Sequence, residues 1–160
     1  MWQLLKNLEG APHLKTKKKY LKTFIKNEKK KDTGSPMIII DTDVLIEIFD
    51  KRSTKGDEAL NKIELSGEDI AITAINLHEI LYGLYKSSKK KIEGLDQIQT
   101  IEFDREDAKL AAKLEVQAEK EGQIIHRADS MIASITMNRK AKLFTFNQRH
   151  YQNIKQLVLF

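Results

Sequence analysis

No cysteine occurs in the 160 residues, which removes disulfides, thiolate zinc sites and thiol catalysis in one step and favours a reducing compartment. Long apolar runs are missing as well. The longest, such as Met37–Ile40 and Leu157–Phe160, are four residues, against the roughly 20 that span a bilayer. Met1–Gly10, MWQLLKNLEG, has neither the basic start nor the apolar stretch of a secretory signal, so the expected location is cytoplasmic, with no membrane contact. There is no glycine-rich phosphate loop, which argues against nucleotide hydrolysis. His78, His126 and His150 are scattered without an HExxH or similar zinc spacing and read as structural or surface residues.

What is present is an ordinary globular composition, 41% apolar and 32% charged, enough for one compact domain and a tail. Richness in Lys, Glu and Ile hints at a thermophile. The net charge of +5 is unevenly held. Residues 1–36 carry ten Lys against Glu9, Glu28 and Asp32, whereas residues 37–160 carry 18 basic and 20 acidic groups. Residues 1–36 therefore read as a basic N-terminal extension to a domain over 37–160. Tyr20 with Phe24, and Leu21 with Ile25, allow a short amphipathic helix before the breaker Asp32–Pro36. Its lysines fit either a solvated arm or a phosphate-seeking one.

From Met37 onward, strands alternate with helices. MIIID (37–41) is a short buried strand, and VLIEIFDK (44–51) and KGDEALNKIEL (55–65) are helical. DIAIT (69–73) is strand-like, AINLHEILYGLYKSSKKK (74–91) is helical, and Thr100–Phe103 is a further strand. A strong helix over 105–121, expected to bury Ala108, Ala111, Ala112 and Leu114, ends at Gly122. QII (123–125) reads as a short strand, RADSMIASITMNRK (127–140) as a helix, AKLFTFN (141–147) as a strand, RHYQNI (149–154) as one helical turn and QLVLF (156–160) as a last strand. This alternation predicts a parallel sheet covered by helices on both faces. Ligands of such sheets bind at the carboxyl ends of the strands.

That rule singles out Asp41 after the first strand, Glu79 one turn into the helix after DIAIT, Asp129 at the start of ADSMIASI, and Asn147 after LFTF. Each has an ordinary explanation when taken alone. Asp41 and Asp129 suit turns or helix caps, and NLHE from Asn76 fits a capping box. Together they suggest more. Two carboxylates about 4 Å apart repel by roughly 4 kcal/mol at an effective dielectric near 20, so such a cluster holds either protons or a cation. Oxygen ligands without His or Cys favour Mg²⁺ or Mn²⁺, which polarise a water and steady charge on a phosphodiester.

The stretches MIIIDTDVLIEIF, AITAINLHEILYGL and ADSMIASITMNRKAKLFTFNQRHYQNI, with the final L, resemble in order the PIN domain, in particular the VapC toxins of type II toxin–antitoxin pairs. The resemblance covers Met37 to Phe160. It implies a three-layer α/β/α fold with a central parallel sheet, Mg²⁺-dependent endoribonuclease activity, RNA as substrate, homodimers and a cognate VapB-like antitoxin. Residue by residue, it implies Asp41, Glu79 and Asp129 as metal-binding acids, with Thr42, Asp43 and Thr145 in support. The fourth acid is where this chain departs from the pattern, because Asn147 and His150 hold the positions where it is expected. Asn147 can still orient a water through its amide oxygen but adds no charge.

Two rivals remain open on the sequence. The opening hhhhDxDxV also fits haloacid dehalogenase-like phosphotransferases, with Asp41 as nucleophile and Asp43 as acid–base. That chemistry needs late paired acids, and no acidic residue follows Asp129. The other rival is a weak or inactive PIN-like protein that binds RNA or an antitoxin.

Overall fold

The computed structural model describes residues 36–49, 53–87 and 95–160. The basic extension, Pro36 apart, lies outside them, as does its expected helix near Tyr20–Ile25. Four strands, β1 (Met37–Ile40), β2 (Asp69–Thr73), β3 (Thr100–Ile101) and β4 (Lys142–Phe144), form a sheet in the order β3-β2-β1-β4. Every pairing is parallel. The helices are α1 (Thr42–Phe49), α2 (Thr54–Ser66), α3 (Ala74–Lys86), α4 (Arg105–Lys120) and α5 (Arg127–Asn138).

The central strand shows why three layers form. Ile38, Ile39 and Ile40 are all fully buried, each gaining about 1.5–3 kcal/mol over an exposed position. Successive strand side chains point to opposite faces. Ile38 and Ile40 accordingly join one core with Val44, Leu60 and Ile80 from α1, α2 and α3. Ile39 joins a second core with Ile132 and Ile135 of α5, Leu143 and Tyr151. The three-layer α/β/α fold with a parallel sheet is thus as expected.

Two features fix how the helices sit. A Cβ on Gly56 would lie 1.9 Å from the backbone oxygen of Glu47, so the crossing of α1 and α2 requires a glycine there. On the other face, Asp107 is fully buried and meets the Arg139 guanidinium at 3.2 Å, while Asn138 Nδ2 donates to it at 2.7 Å. This pair ties the start of α4 to the end of α5.

Several local expectations are corrected. QII forms no strand; Gln123 N instead donates to Ala118 O at 2.8 Å, closing the end of α4, and Ile124 is left exposed. The strand expected over QLVLF reduces to a single parallel bridge, Leu143 to Leu159. The strand at Thr100–Phe103 keeps only its first two residues. Ala108 and Ala112 are exposed, because α4 turns Asp107, Ala111 and Ala118 inward. The capping box begins at Thr73 rather than Asn76: Thr73 caps α3 and Asn76 is its third residue.

Candidate active site

Asp41 leaves β1 at the carboxyl edge of the sheet, where its backbone N–H donates to Phe144 O at 2.9 Å and so anchors it to β4. Its backbone oxygen accepts from Leu45 N at 3.1 Å, starting α1. The carboxylate is gripped on one side, where Oδ1 accepts from Thr42 N at 2.8 Å and from Asn76 Nδ2 at 3.1 Å. On the other, Oδ2 accepts from the Tyr151 hydroxyl at 3.3 Å. Asn76 itself is fully buried and held by the capping box, accepting from Thr73 N at 3.0 Å and Thr73 Oγ1 at 2.6 Å.

Glu79 comes from α3, one turn past Asn76. Thr42 Oγ1 donates to its Oε2 at 2.5 Å and receives Asn76 Nδ2 at 3.1 Å. Asp129 lies in the first turn of α5, which starts at Arg127, so it does not cap the helix; the capping position falls to His126, whose side chain makes no cap bond. Asp129 Oδ1 stands 3.5 Å from the Tyr151 hydroxyl and Oδ2 lies 3.1 Å from His150 Nδ1. The three acids named by the sequence therefore gather at one edge. Asp41 and Glu79 are linked through Thr42, and Asp41 and Asp129 through Tyr151.

Asp43, close enough for its charge to act on Asp41, is bonded to the chain that follows β4. Phe146 N donates to its Oδ2 at 3.1 Å, and Thr145 Oγ1 lies 3.5 Å from the same oxygen. It clips the start of α1 to the chain beyond β4, a supporting position. Thr145, nearly fully buried, also accepts from Asn147 N at 3.0 Å. The Asn147 side chain bonds sideways: Nδ2 lies 3.0 and 3.1 Å from the ring nitrogens of His150, and Oδ1 accepts from Arg149 Nε at 3.2 Å.

Sequence reasoning missed three members. His150, which its spacing from the other histidines makes a structural or surface residue, faces Asp129. Asn76 has a signal in its three-residue spacing from Thr73 at a strand end, where NLHE suggests a different cap. Tyr151 had no local signal, because its contacts span 110 and 22 residues of chain.

The electrostatics follow from burial. Desolvation, then the Asp43 charge and to a smaller degree that of Glu79, raise the Asp41 pKa to about 7 against the bonds from Thr145 and Thr42. Burial likewise raises Asp129, with His150 and His126 opposing, and raises Asp43 against the Phe146 bond. Burial and the neighbouring Asp41 and Asp129 push Tyr151 upward, so its hydroxyl stays protonated as a donor.

Among the described residues, no three His, Cys, Asp or Glu side chains stand placed to hold a metal ion together. The donor chemistry nonetheless fits a hard divalent ion. Asp41 is buried with charges of its own sign beside it, and the donors of Asp41, Glu79 and Asp129 are carboxylate oxygens, joined by the Tyr151 hydroxyl between Asp41 and Asp129 and by Thr42 and Asn76 between Asp41 and Glu79.

A parallel sheet with acids gathered at its carboxyl edge, helices on both faces and a hydroxyl-bearing T-x-N after the last strand is the arrangement of one known family. The chain belongs to the PIN domain family, whose profile matches residues 38–155. It is 28% identical over 141 residues to Ribonuclease VapC1 of Methanocaldococcus jannaschii, covering 87% of this chain and 96% of that one. It is 30% identical over 129 residues to Ribonuclease VapC2 of Rickettsia felis, covering 76% and 94%. The crystal structure of VapBC2 from Rickettsia felis bound to a promoter DNA fragment superposes with a TM-score of 0.65 at 25% identity, covering 78% of this chain and 97% of that one.

Proposed function

We propose that this chain is a Mg²⁺-dependent endoribonuclease, the toxin of a toxin–antitoxin pair, which hydrolyses RNA phosphodiester bonds in the cytoplasm. It would act as a homodimer and be silenced by a VapB-like antitoxin. The observation that carries the reading is the meeting of Asp41 Oδ2 and Asp129 Oδ1 at the Tyr151 hydroxyl, with Glu79 joined to the same edge through Thr42.

Asp41, Glu79 and Asp129 would hold the ion, with Mn²⁺ an acceptable substitute. When bound, the ion supplies positive charge to the phosphodiester and to the attacking water. The chain's own residues set the orientation. Asn76 and the Thr42 amide occupy Asp41 Oδ1, so Oδ2 is the oxygen turned toward Asp129. His150 takes Asp129 Oδ2 and directs Oδ1 toward Tyr151. Asn147 would orient the attacking water only by releasing His150 or Arg149, so in this arrangement it acts chiefly as a brace for His150.

The phosphotransferase alternative lacks support, because both Asp43 oxygens accept from the Phe146 amide and no acidic residue follows Asp129. A binding-only PIN relative is favoured by a single observation, His150 and Asn147 where a fourth acid is expected. Incubating a mixed RNA pool with the full chain separates these readings. Cleavage should require Mg²⁺ and vanish in Asp41→Asn; RNA binding without cleavage under every condition would leave the binding-only reading standing.

A further inference from the structure

α3 carries Glu79 into the site, and its outer face bears rings where a solvated helix usually bears charge. His78 and Tyr82 are exposed, with ring centroids 6.4 Å apart and planes inclined by only 24°. Tyr85 is 73% exposed one turn further on, and Lys86 Nζ lies 5.7 Å from the Tyr82 ring centroid. The separation is that of side chains four apart on a helix, and near-parallel exposed rings beside a cation are the kind of surface on which unpaired bases stack.

We infer that His78 and Tyr82 form a slot for one unpaired base of a single-stranded RNA, next to the phosphate held at the acidic site. The inference rests on the nuclease reading and adds a specificity element to it. Three details favour RNA over a protein partner. The rings are near-parallel rather than edge-on. Lys86 supplies a cation beside the slot for the phosphate that follows the base. Tyr82 is three residues from Glu79 and so its neighbour on the helix surface, which sets its ring beside the turn that carries an acid of the site. Base stacking tolerates any base, so the slot would select unpaired nucleotides rather than a sequence.

The test uses the full chain and a single-stranded oligoribonucleotide carrying 2-aminopurine, whose fluorescence falls on stacking. Binding is titrated in EDTA and cleavage kinetics are followed in Mg²⁺. Tyr82→Ala should weaken binding and raise KM by about tenfold with kcat little changed, and His78→Ala should act in the same direction. Tyr82→Phe should behave as wild type. With an abasic nucleotide at the slotted position, wild type should lose the same factor and Tyr82→Ala nothing further. The proposal is overturned if Tyr82→Ala leaves affinity and KM unchanged, or if its loss is identical at every abasic position. It is equally overturned if Tyr82→Ala changes the oligomeric state in sizing experiments while the fluorescence response is retained, since the strip would then be a protein interface. Base-dependent quenching without any cleavage in Mg²⁺ would keep the slot and remove the nuclease reading.

Discussion

Asn76 holds Asp41 in place. Its side-chain nitrogen lies 3.1 Å from Asp41 Oδ1, and its oxygen is fixed by both the amide and the hydroxyl of Thr73. A helix cap is thereby turned into a clamp on the most buried of the site's three acids. Asn76→Ala should cost roughly 1–3 kcal/mol, the price of buried groups left unpaired. Asn76→Asp should cost more at neutral pH, since it sets a second carboxylate where the donor stood. Urea unfolding of the two variants at pH 7.5 checks the order; equal stabilities would contradict the clamp.

The pH dependence of the metal-free protein follows from Asp41. Its folded pKa of about 7 lies above the ordinary 3.8, so between those values the folded state binds the extra proton and stability falls as pH rises. The penalty is complete above about pH 7 and amounts to roughly 4 kcal/mol at most. Asp41→Asn should therefore be more stable than wild type at pH 8 in EDTA, with the gap closing toward pH 5. Unfolding curves across that range, wild type against variant, test the sign.

Far from the acids, Asp107 is fully buried and its charge partner is Arg139. Arg139→Ala leaves that carboxylate without its cation and should cost about 3 kcal/mol or more, with activity per folded molecule retained. Gly56→Ala should be as damaging for a different reason, the backbone contact between α1 and α2. Thermal melts measure both. A Gly56→Ala protein with an unchanged Tm would mean that the helix crossing is looser than described.

Much of this was legible in the sequence because the relevant signals are local. Ile38–Ile40 running into Asp41 announces a buried parallel strand with an acid at its end, and the order of Glu79 and Asp129 after later elements places them at the same edge. What escaped has long-range causes. Tyr151 reaches Asp41 across 110 residues, and nothing in RHYQNI indicates that its ring lies beneath two carboxylates. The inward stripe of α4 differs from the expected one at Ala108 and Ala112 because Asp107, a carboxylate, is drawn in by Arg139 and Asn138. QII had strand-like composition but no neighbour to pair with, and tertiary context decides such short runs.

The Tyr151 hydroxyl offers a narrower test of the site. Tyr151→Phe keeps the buried ring and removes only the group between Asp41 Oδ2 and Asp129 Oδ1. The variant should fold normally and bind Mn²⁺ several-fold more weakly, because the two carboxylates lose their common donor. Calorimetric titration reads the affinity directly, and undiminished binding would show that the hydroxyl does not set their orientation.

The central claim is that Asp41, Glu79 and Asp129 form one cation-dependent RNA-cleaving site. Its most direct test is cleavage of an end-labelled single-stranded RNA by the purified chain across a Mg²⁺ titration, with Asp41→Asn and Asp129→Asn in parallel. The account predicts cleavage that rises with Mg²⁺, stops with EDTA, returns when Mg²⁺ is restored, and falls at least a hundredfold in either variant (roughly 3 kcal/mol of transition-state stabilisation). Cleavage that persists in EDTA, or that survives loss of both carboxylates, would contradict it.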